Sequence, residues 1–247
     1  AITAMRPYSD KLTELLQNLS ATLDADSGSK FSEQRDVKNV LIVAITSNRG
    51  LCGAFNSNII KQATAAASSY DAKVSIVAIG KKANDALSKN FEVISNQSPV
   101  FDDLTFDNVA AIAEMLMEQF ESKAFDKIEV IYNKFKNAAT QEIMTEQFLP
   151  IEPLENDTNA NLDYIFEPSK EEIIETLIPK SLKTQLYKSI RDSFASEHGA
   201  RMTAMHKATD NATELRDQLK LTYNKARQAS ITNEILEIVG GAEALNG

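Results

Sequence analysis

The feature that most constrains this chain is a long segment near its C-terminus that contains no proline. Between Lys180 and Val239 there is no proline and one glycine, Gly199, so about 60 residues can continue as one helix. At a rise of 1.5 Å per residue that helix is about 90 Å long, more than a compact domain of this chain length can hold. The sequence therefore predicts a helix that leaves the globular part of the protein. Pro179 is expected to interrupt or kink its start.

Small and apolar residues follow this helix at heptad spacing. They are Met205, Ala208, Ala212, Leu215, Leu219, Thr222, Ala226 and Ala229. Steps of three and four are typical of a left-handed coiled coil. A similar stripe at the start of the chain consists of Ile2, Met5, Tyr8, Leu12, Leu15 and Leu19. We therefore expect the two ends of the chain to pair as helices.

The middle of the chain alternates between strand-like and helix-like patterns. Apolar runs occupy residues 40–45, 74–79, 91–95 and 128–132, and helical patterns lie near 57–70, 81–89 and 107–121. Continuous Val/Ile runs are typical of buried parallel strands covered on both faces. The sequence predicts an α/β fold with a Rossmann-like, mostly parallel sheet, in which the last two runs, "KIEVIYNKF" and "QEIMTEQFL", are antiparallel.

Turn-forming stretches divide the chain. "LDADSGSKFSEQRD" precedes the α/β segment and "PLENDTNANLD" follows it. The predicted domains are an N-terminal shaft helix at 1–26, a globular head at 37–166 and a C-terminal shaft helix at 169–247.

The charge is unevenly distributed. The net charge is −9, which argues against nonspecific binding of nucleic acid by the whole chain. Residues 180–228 nevertheless contain ten Lys/Arg against five Asp/Glu. We expect this basic segment to contact acidic surfaces, although a solvated helix face would explain the same charges. The lack of a long apolar run indicates a soluble intracellular protein.

The glycine loop "TSNRGLCGAFNSN" at 46–58 has the context of a phosphate-binding loop, between a strand and a helix. Its spacing, with Gly50 and Gly53 three apart, matches neither common nucleotide-binding motif. Cys52, the single cysteine, has no histidine before position 198 to activate it as a nucleophile. We expect a buried structural thiol, with glycines that allow close packing and with Asn48 or Asn56 as a cap.

Metal and cofactor sites are not predicted. His206 and Asp210 have the i, i+4 spacing of two ligands on one helix face, but a zinc site needs a third protein ligand. No arrangement of side chains indicates an active site.

Several motifs resemble one family. "TSNRGLCGAFNSNI" and "ITNEILEIVGGAEAL" are similar to two signatures of the gamma subunit of F-type ATP synthase, and "GARMTAMHKATDNATEL" and "YNKARQASITNE" also match. The resemblance covers essentially the whole chain.

The resemblance implies a central rotor stalk. Its two shaft helices would lie inside a ring of alpha and beta subunits, and its head would contact the epsilon subunit and the membrane c ring. Rotation would couple proton translocation to ATP synthesis or hydrolysis on the beta subunits, so the chain itself would have no active site and no cofactor. It would be a peripheral protein at the cytoplasmic face of a bacterial inner membrane.

The resemblance also implies contact residues. Beta-subunit contacts would fall on Arg227, Gln228, Thr232 and Glu234, and c-ring contacts on Phe166 and Glu167. The loop with Gly50, Cys52 and Gly53 would be a structural element of the head.

Two departures from the family pattern are apparent. The family's N-terminal helix begins well before the position that matches Ala1, so most of this helix is expected to be lacking here. The cysteine-bearing regulatory insert of the chloroplast form is also missing. An alternative from another class is a nucleotide-binding α/β enzyme or sensor whose long helix is a dimerisation arm.

Overall fold

The computed structural model describes residues 7, 8, 11, 12, 30–151 and 170–246. Its elements in chain order are β1 (Asn39–Ile45), α1 (Phe55–Ser69), β2 (Lys73–Ile79), α2 (Lys81–Leu87), β3 (Glu92–Asn96), a 3₁₀ turn (Ser98–Phe101), α3 (Phe106–Glu121), β4 (Lys127–Phe135), β5 (Gln141–Leu149) and α4 (Lys170–Asn246). Strands and helices alternate as the sequence predicts, and α4 continues through Pro179 without interruption.

The described strands form one mixed sheet in the order β3-β2-β1-β4-β5. β1 pairs in parallel with β2 and β4, β2 pairs in parallel with β3, and β4 pairs with β5 in antiparallel orientation. The predicted α/β fold, including its antiparallel last strand, is therefore confirmed.

Alternate residues of β1 point to opposite faces, and both faces are covered. Leu41, Val43 and Ile45 belong to a cluster with residues of α3 and α4, whereas Val40 and Ile42 pack with α1 and α2. All five side chains have no solvent exposure. This double burial explains why the strand is a continuous apolar run.

The first part of α4 belongs to the head. Its side chains at Ile178, Leu182, Leu186 and Ile190, spaced by four, lie in the same cluster as α3 and β4. One compact unit extends from Ala1 to Met202, and a second consists of Thr203–Gly247. The first unit thus includes the N-terminal part of α4.

Candidate functional site

The glycine loop lies between β1 and α1, where its one thiol is enclosed. Cys52 is 1% exposed, and the Asn56 amide lies 3.1 Å from its Sγ atom. Asn56 Oδ1 also accepts from the backbone N–H of Ser47 at 2.9 Å, and Asn56 Nδ2 donates to Arg49 O at 3.3 Å. A thiol enclosed in this way agrees with the structural interpretation and is poorly placed to attack a substrate.

The glycines of this loop do not serve close packing, so that prediction is wrong. Apart from the adjoining residues, no atom in the described part of the chain lies within 4 Å of a Cβ built on Gly50 or Gly53. Gly53 instead provides a backbone with φ of +59°, and the neighbouring Leu51 adopts φ of +61°. The N-cap of α1 is Ala54, which makes no side-chain cap, and Asn56 instead forms its hydrogen bonds within the glycine turn.

The loop also accepts hydrogen bonds from the backbone N–H groups at the N-terminus of α2. The backbone N–H groups of Lys81, Lys82 and Ala83 donate to Asn48 Oδ1 at 3.0 Å, Ser47 O at 3.2 Å and Thr46 Oγ1 at 2.8 Å, respectively. Free amides at a helix N-terminus can bind a phosphate. The head uses these three amides of α2 internally, so they are not available to a ligand.

Gly80 allows the loop and α2 to approach so closely. Its φ is +113°, and a Cβ there would lie 2.3 Å from the carbonyl oxygen of Thr46. Any other residue would meet both an unfavourable backbone conformation and a steric clash.

Polar contacts join α4 to the head near the same loop. Ser196 Oγ donates to Asn133 O at 3.0 Å, and Arg201 Nη2 donates to Gly50 O at 3.3 Å. Arg201 also pairs with Glu197 at 2.7 Å, one turn earlier. In the sequence Arg201 is one charge of a basic segment, and no neighbouring residue indicates its distant acceptor.

A buried tyrosine lies beneath α4. Tyr132 has no solvent exposure, and its hydroxyl donates to Glu146 Oε1 at 2.6 Å. Burial, followed by the neighbouring Glu146 carboxylate, raises the pKa of Tyr132 far above its ordinary value. The hydroxyl therefore stays protonated and continues to donate.

The second unit, Thr203–Gly247, exposes its large apolar side chains. The exposed fraction ranges from 39% at Met205 to 88% at Leu245. We call residues 203–246 of α4 the distal helix. Because soluble helices ordinarily bury such residues, this pattern is typical of a surface that contacts partners.

The four residues implied as beta-subunit contacts lie exposed on the distal helix. Arg227 and Glu234 are seven residues apart, which places them about two turns apart on the same face. Gln228 and Thr232 are one turn apart, and Thr232 Oγ1 donates to Gln228 O at 2.9 Å. All four side chains are exposed in the part of the chain that the structure describes, so a partner could reach them.

Some predictions fall on residues outside the described ranges. Phe166 and Glu167 are among them, as is nearly all of the predicted N-terminal helix at 1–26. Within the ranges that the structure describes, no group of three or more His, Cys, Asp or Glu side chains could hold a metal ion. No described helix is both long and apolar enough to cross a bilayer.

The fold and the exposed helix define a class, an α/β head with a helical arm suited to contacts with other chains. A family model described as ATP synthase matches residues 1–245. The ATP synthase gamma chain of Flavobacterium psychrophilum is 74% identical over 249 residues, which cover 100% of this chain and 87% of that protein. That of Flavobacterium johnsoniae is 71% identical with the same coverage. The chain belongs to the family of ATP synthase gamma chains.

Solved structures share the fold. A chain of the Euglena gracilis mitochondrial ATP synthase, in an assembly described as OSCP/F1/c-ring, superposes with a TM-score of 0.66 and 22% identity, covering 99% of this chain and 92% of that one. A chain of the Tetrahymena thermophila mitochondrial central stalk and c ring gives a TM-score of 0.58 and 24% identity, covering 84% and 99%.

Proposed function

We propose that this chain is the central rotor stalk of an F-type ATP synthase. In this role it couples proton translocation through the c ring to ATP synthesis or hydrolysis on the beta subunits, and it carries out no chemistry itself. The observation that supports this proposal best is the exposure of the apolar side chains of the distal helix, which surrounding subunits would bury. The family membership and the 74% identity to a gamma chain support the same role.

The proposed partners occupy different parts of the chain. The distal helix lies within the ring of alpha and beta subunits and pairs with the N-terminal shaft helix at 1–26. The head contacts the epsilon subunit and the c ring, with Phe166 and Glu167 as c-ring contacts. The chain is thereby a peripheral protein on the cytoplasmic face of a bacterial inner membrane.

Arg227, Gln228, Thr232 and Glu234 are the proposed contacts with beta. Arg and Gln side chains make directional hydrogen bonds that form at some rotor angles and break at others. The basic excess in residues 180–228 favours an acidic partner surface, and it predicts that association weakens as salt screens the charges.

The proposal is tested by mixing the chain with purified alpha and beta subunits and separating the products by size-exclusion chromatography at low and moderate salt. We expect a stoichiometric complex that weakens with salt. The Flavobacterium psychrophilum gamma chain is the positive control. If that chain binds while this one stays apart, although circular dichroism shows it folded, the proposal is wrong.

A pair of variants locates the contact. Arg227→Ala combined with Gln228→Ala should weaken the complex by roughly tenfold, because it removes hydrogen bonds with a charged donor. Arg216→Ala is the matched control, since Arg216 is exposed on the same helix and pairs with its neighbour Asp217 at 2.9 Å. Equal weakening by both changes would assign the effect to overall charge and would overturn the specific contact.

A further inference from the structure

Apolar and polar contacts together hold α4 to the head. From Ile178 to Ile190 a buried apolar stripe is accompanied by the Lys183–Glu114 ion pair and by a hydrogen bond from Gln185 Nε2 to Gln147 O at 3.2 Å. Above Ile190 the contacts include the hydrogen bonds of Ser196 and Arg201 and a close approach at Gly199. Apolar burial has no preferred direction, whereas a hydrogen bond weakens steeply when its angle changes.

Gly199 adds a steric constraint to these hydrogen bonds. A Cβ built on Gly199 would lie 3.0 Å from both Cα and the carbonyl oxygen of Ala138 in the β4–β5 turn. Successive residues of a helix are separated by about 100° around its axis. Turning α4 by one residue would therefore bring the side chain of His198 or the methyl group of Ala200 against the Ala138 backbone.

The acceptors of the two hydrogen bonds are themselves fixed. Asn133, whose carbonyl accepts from Ser196, donates its side-chain amide to Phe55 O at 3.2 Å in the first turn of α1. The carbonyl of Gly50 accepts from Arg201. The preceding residue, Arg49, is held in the loop by a hydrogen bond from Asn56 Nδ2 to its carbonyl oxygen. Hydrogen bonds therefore connect both acceptors of α4 to residues in the first turn of α1.

We infer that Ser196, Gly199 and Arg201 form a polar junction that fixes the rotational register of α4 on the head and transmits torque between them. The inference rests on the proposed rotor function and adds to it the residues that carry the load within this chain. The glycine loop then has a mechanical role, since it supplies the acceptor for Arg201. Arg201 is a positioning residue that acts through Gly50.

The test uses the assembled ATP synthase in vesicles, with ATP hydrolysis and ATP-driven proton pumping measured together. In the variant Ser196→Ala with Arg201→Gln, we expect hydrolysis within about twofold of the unchanged complex. Protons pumped per ATP should fall roughly fivefold, the change expected from losing one to two hydrogen bonds. Arg216→Gln is the control and should leave the pumping ratio unchanged.

Two further measurements separate torque transmission from mere structural support. Arg201→Lys alone keeps the charge but lacks the fork that contacts Glu197 and Gly50 O together, so it should lower the pumping ratio less than the double variant does. Gly199→Leu, which forces a side chain against Ala138, should lower the ratio as the double variant does. An unchanged ratio in all three variants, or hydrolysis and pumping falling in parallel, would overturn the inference. Failure of the unchanged chain to enter the complex would instead refute the proposed function.

Discussion

The two parts of α4 obtain their stability from different sources. Leu186 and Ile190, in the head, have no solvent exposure, whereas Leu219 and Ile238, in the distal helix, are 59% and 72% exposed. Helices rarely form stably in water without packing against something. The head therefore stabilises its part of α4 by itself, and the distal helix depends on partners for the equivalent burial.

This difference follows from the residues on each part. The apolar residues Ile178, Leu182, Leu186 and Ile190 are large and spaced by four, which suits packing on a sheet. The heptad positions of the distal helix are mostly alanine and threonine and bury less apolar area per turn. Weak contacts suit a shaft that turns against its neighbouring subunits. The head has to hold α4 in place, which requires stronger contacts.

The largest expected effect comes from truncating one leucine in each part. Leu186→Ala should lower the free energy of unfolding by about 2–5 kcal/mol, because it leaves a cavity in the core. Leu219→Ala, the matched control, should change it by less than about 0.5 kcal/mol. Urea denaturation followed by circular dichroism measures both. Equal losses would show that the distal helix is buried in the isolated chain and would remove the contrast.

A pair of glycines provides the second comparison. Gly80→Ala should cost about 2–4 kcal/mol, since its φ is +113° and the new Cβ would lie 2.3 Å from Thr46 O. Among the described residues outside its own helix turn, no atom lies within 4 Å of a Cβ on Gly240, and alanine is the better helix former. Gly240→Ala should therefore be neutral or stabilising by up to about 1 kcal/mol. Thermal unfolding of both variants gives the answer, and a stable Gly80→Ala chain would contradict the tight approach of α2 to the loop.

Those helices and strands that depend on the residues within them could be predicted from the sequence. β1 and β2 were predictable from continuous apolar runs, and the part of α4 after Pro179 from the lack of proline there, whereas the expected interruption at Pro179 does not occur. The contacts of Gly80 and Arg201 were not predictable, because each depends on a partner 34 or 151 residues away in the chain. The family signature drew attention to the glycine loop, but only the fold shows which groups the loop holds together.

A third comparison concerns how the stability of the protein depends on pH through the buried Tyr132. Tyr132 keeps its proton in the folded state because burial raises its pKa, whereas in the unfolded state it ionises near its ordinary value of 10.0. Above pH 10 the unfolded chain therefore binds fewer protons than the folded chain, and stability falls as pH rises. The slope should approach about 1.4 kcal/mol per pH unit.

Tyr132→Phe should remove this slope, and Tyr223→Phe should not, since Tyr223 is 67% exposed. The pKa of Tyr70 is also raised, by burial and by the hydrogen bond to Glu129, but Tyr70 is present in both variants and its contribution cancels. Urea unfolding at pH 9, 10 and 11 measures the difference. Parallel pH profiles for the two variants would mean that Tyr132 ionises as readily in the folded protein as in the unfolded chain.

The smallest expected effect concerns a serine on each part of α4. Ser193 is 1% exposed, and its Oγ finds no hydrogen-bond partner in the part of the chain that the structure describes. Burying an unpaired hydroxyl costs free energy, so Ser193→Ala should stabilise the head by about 1 kcal/mol. Ser230→Ala on the exposed distal helix gains helix propensity, about 0.5 kcal/mol or less, and loses only a long, exposed hydrogen bond to Glu234 at 3.5 Å. The difference between the two gains isolates the cost of burial, and a loss of stability in Ser193→Ala would show that this hydroxyl is bonded in solution and contributes to holding α4 on the head.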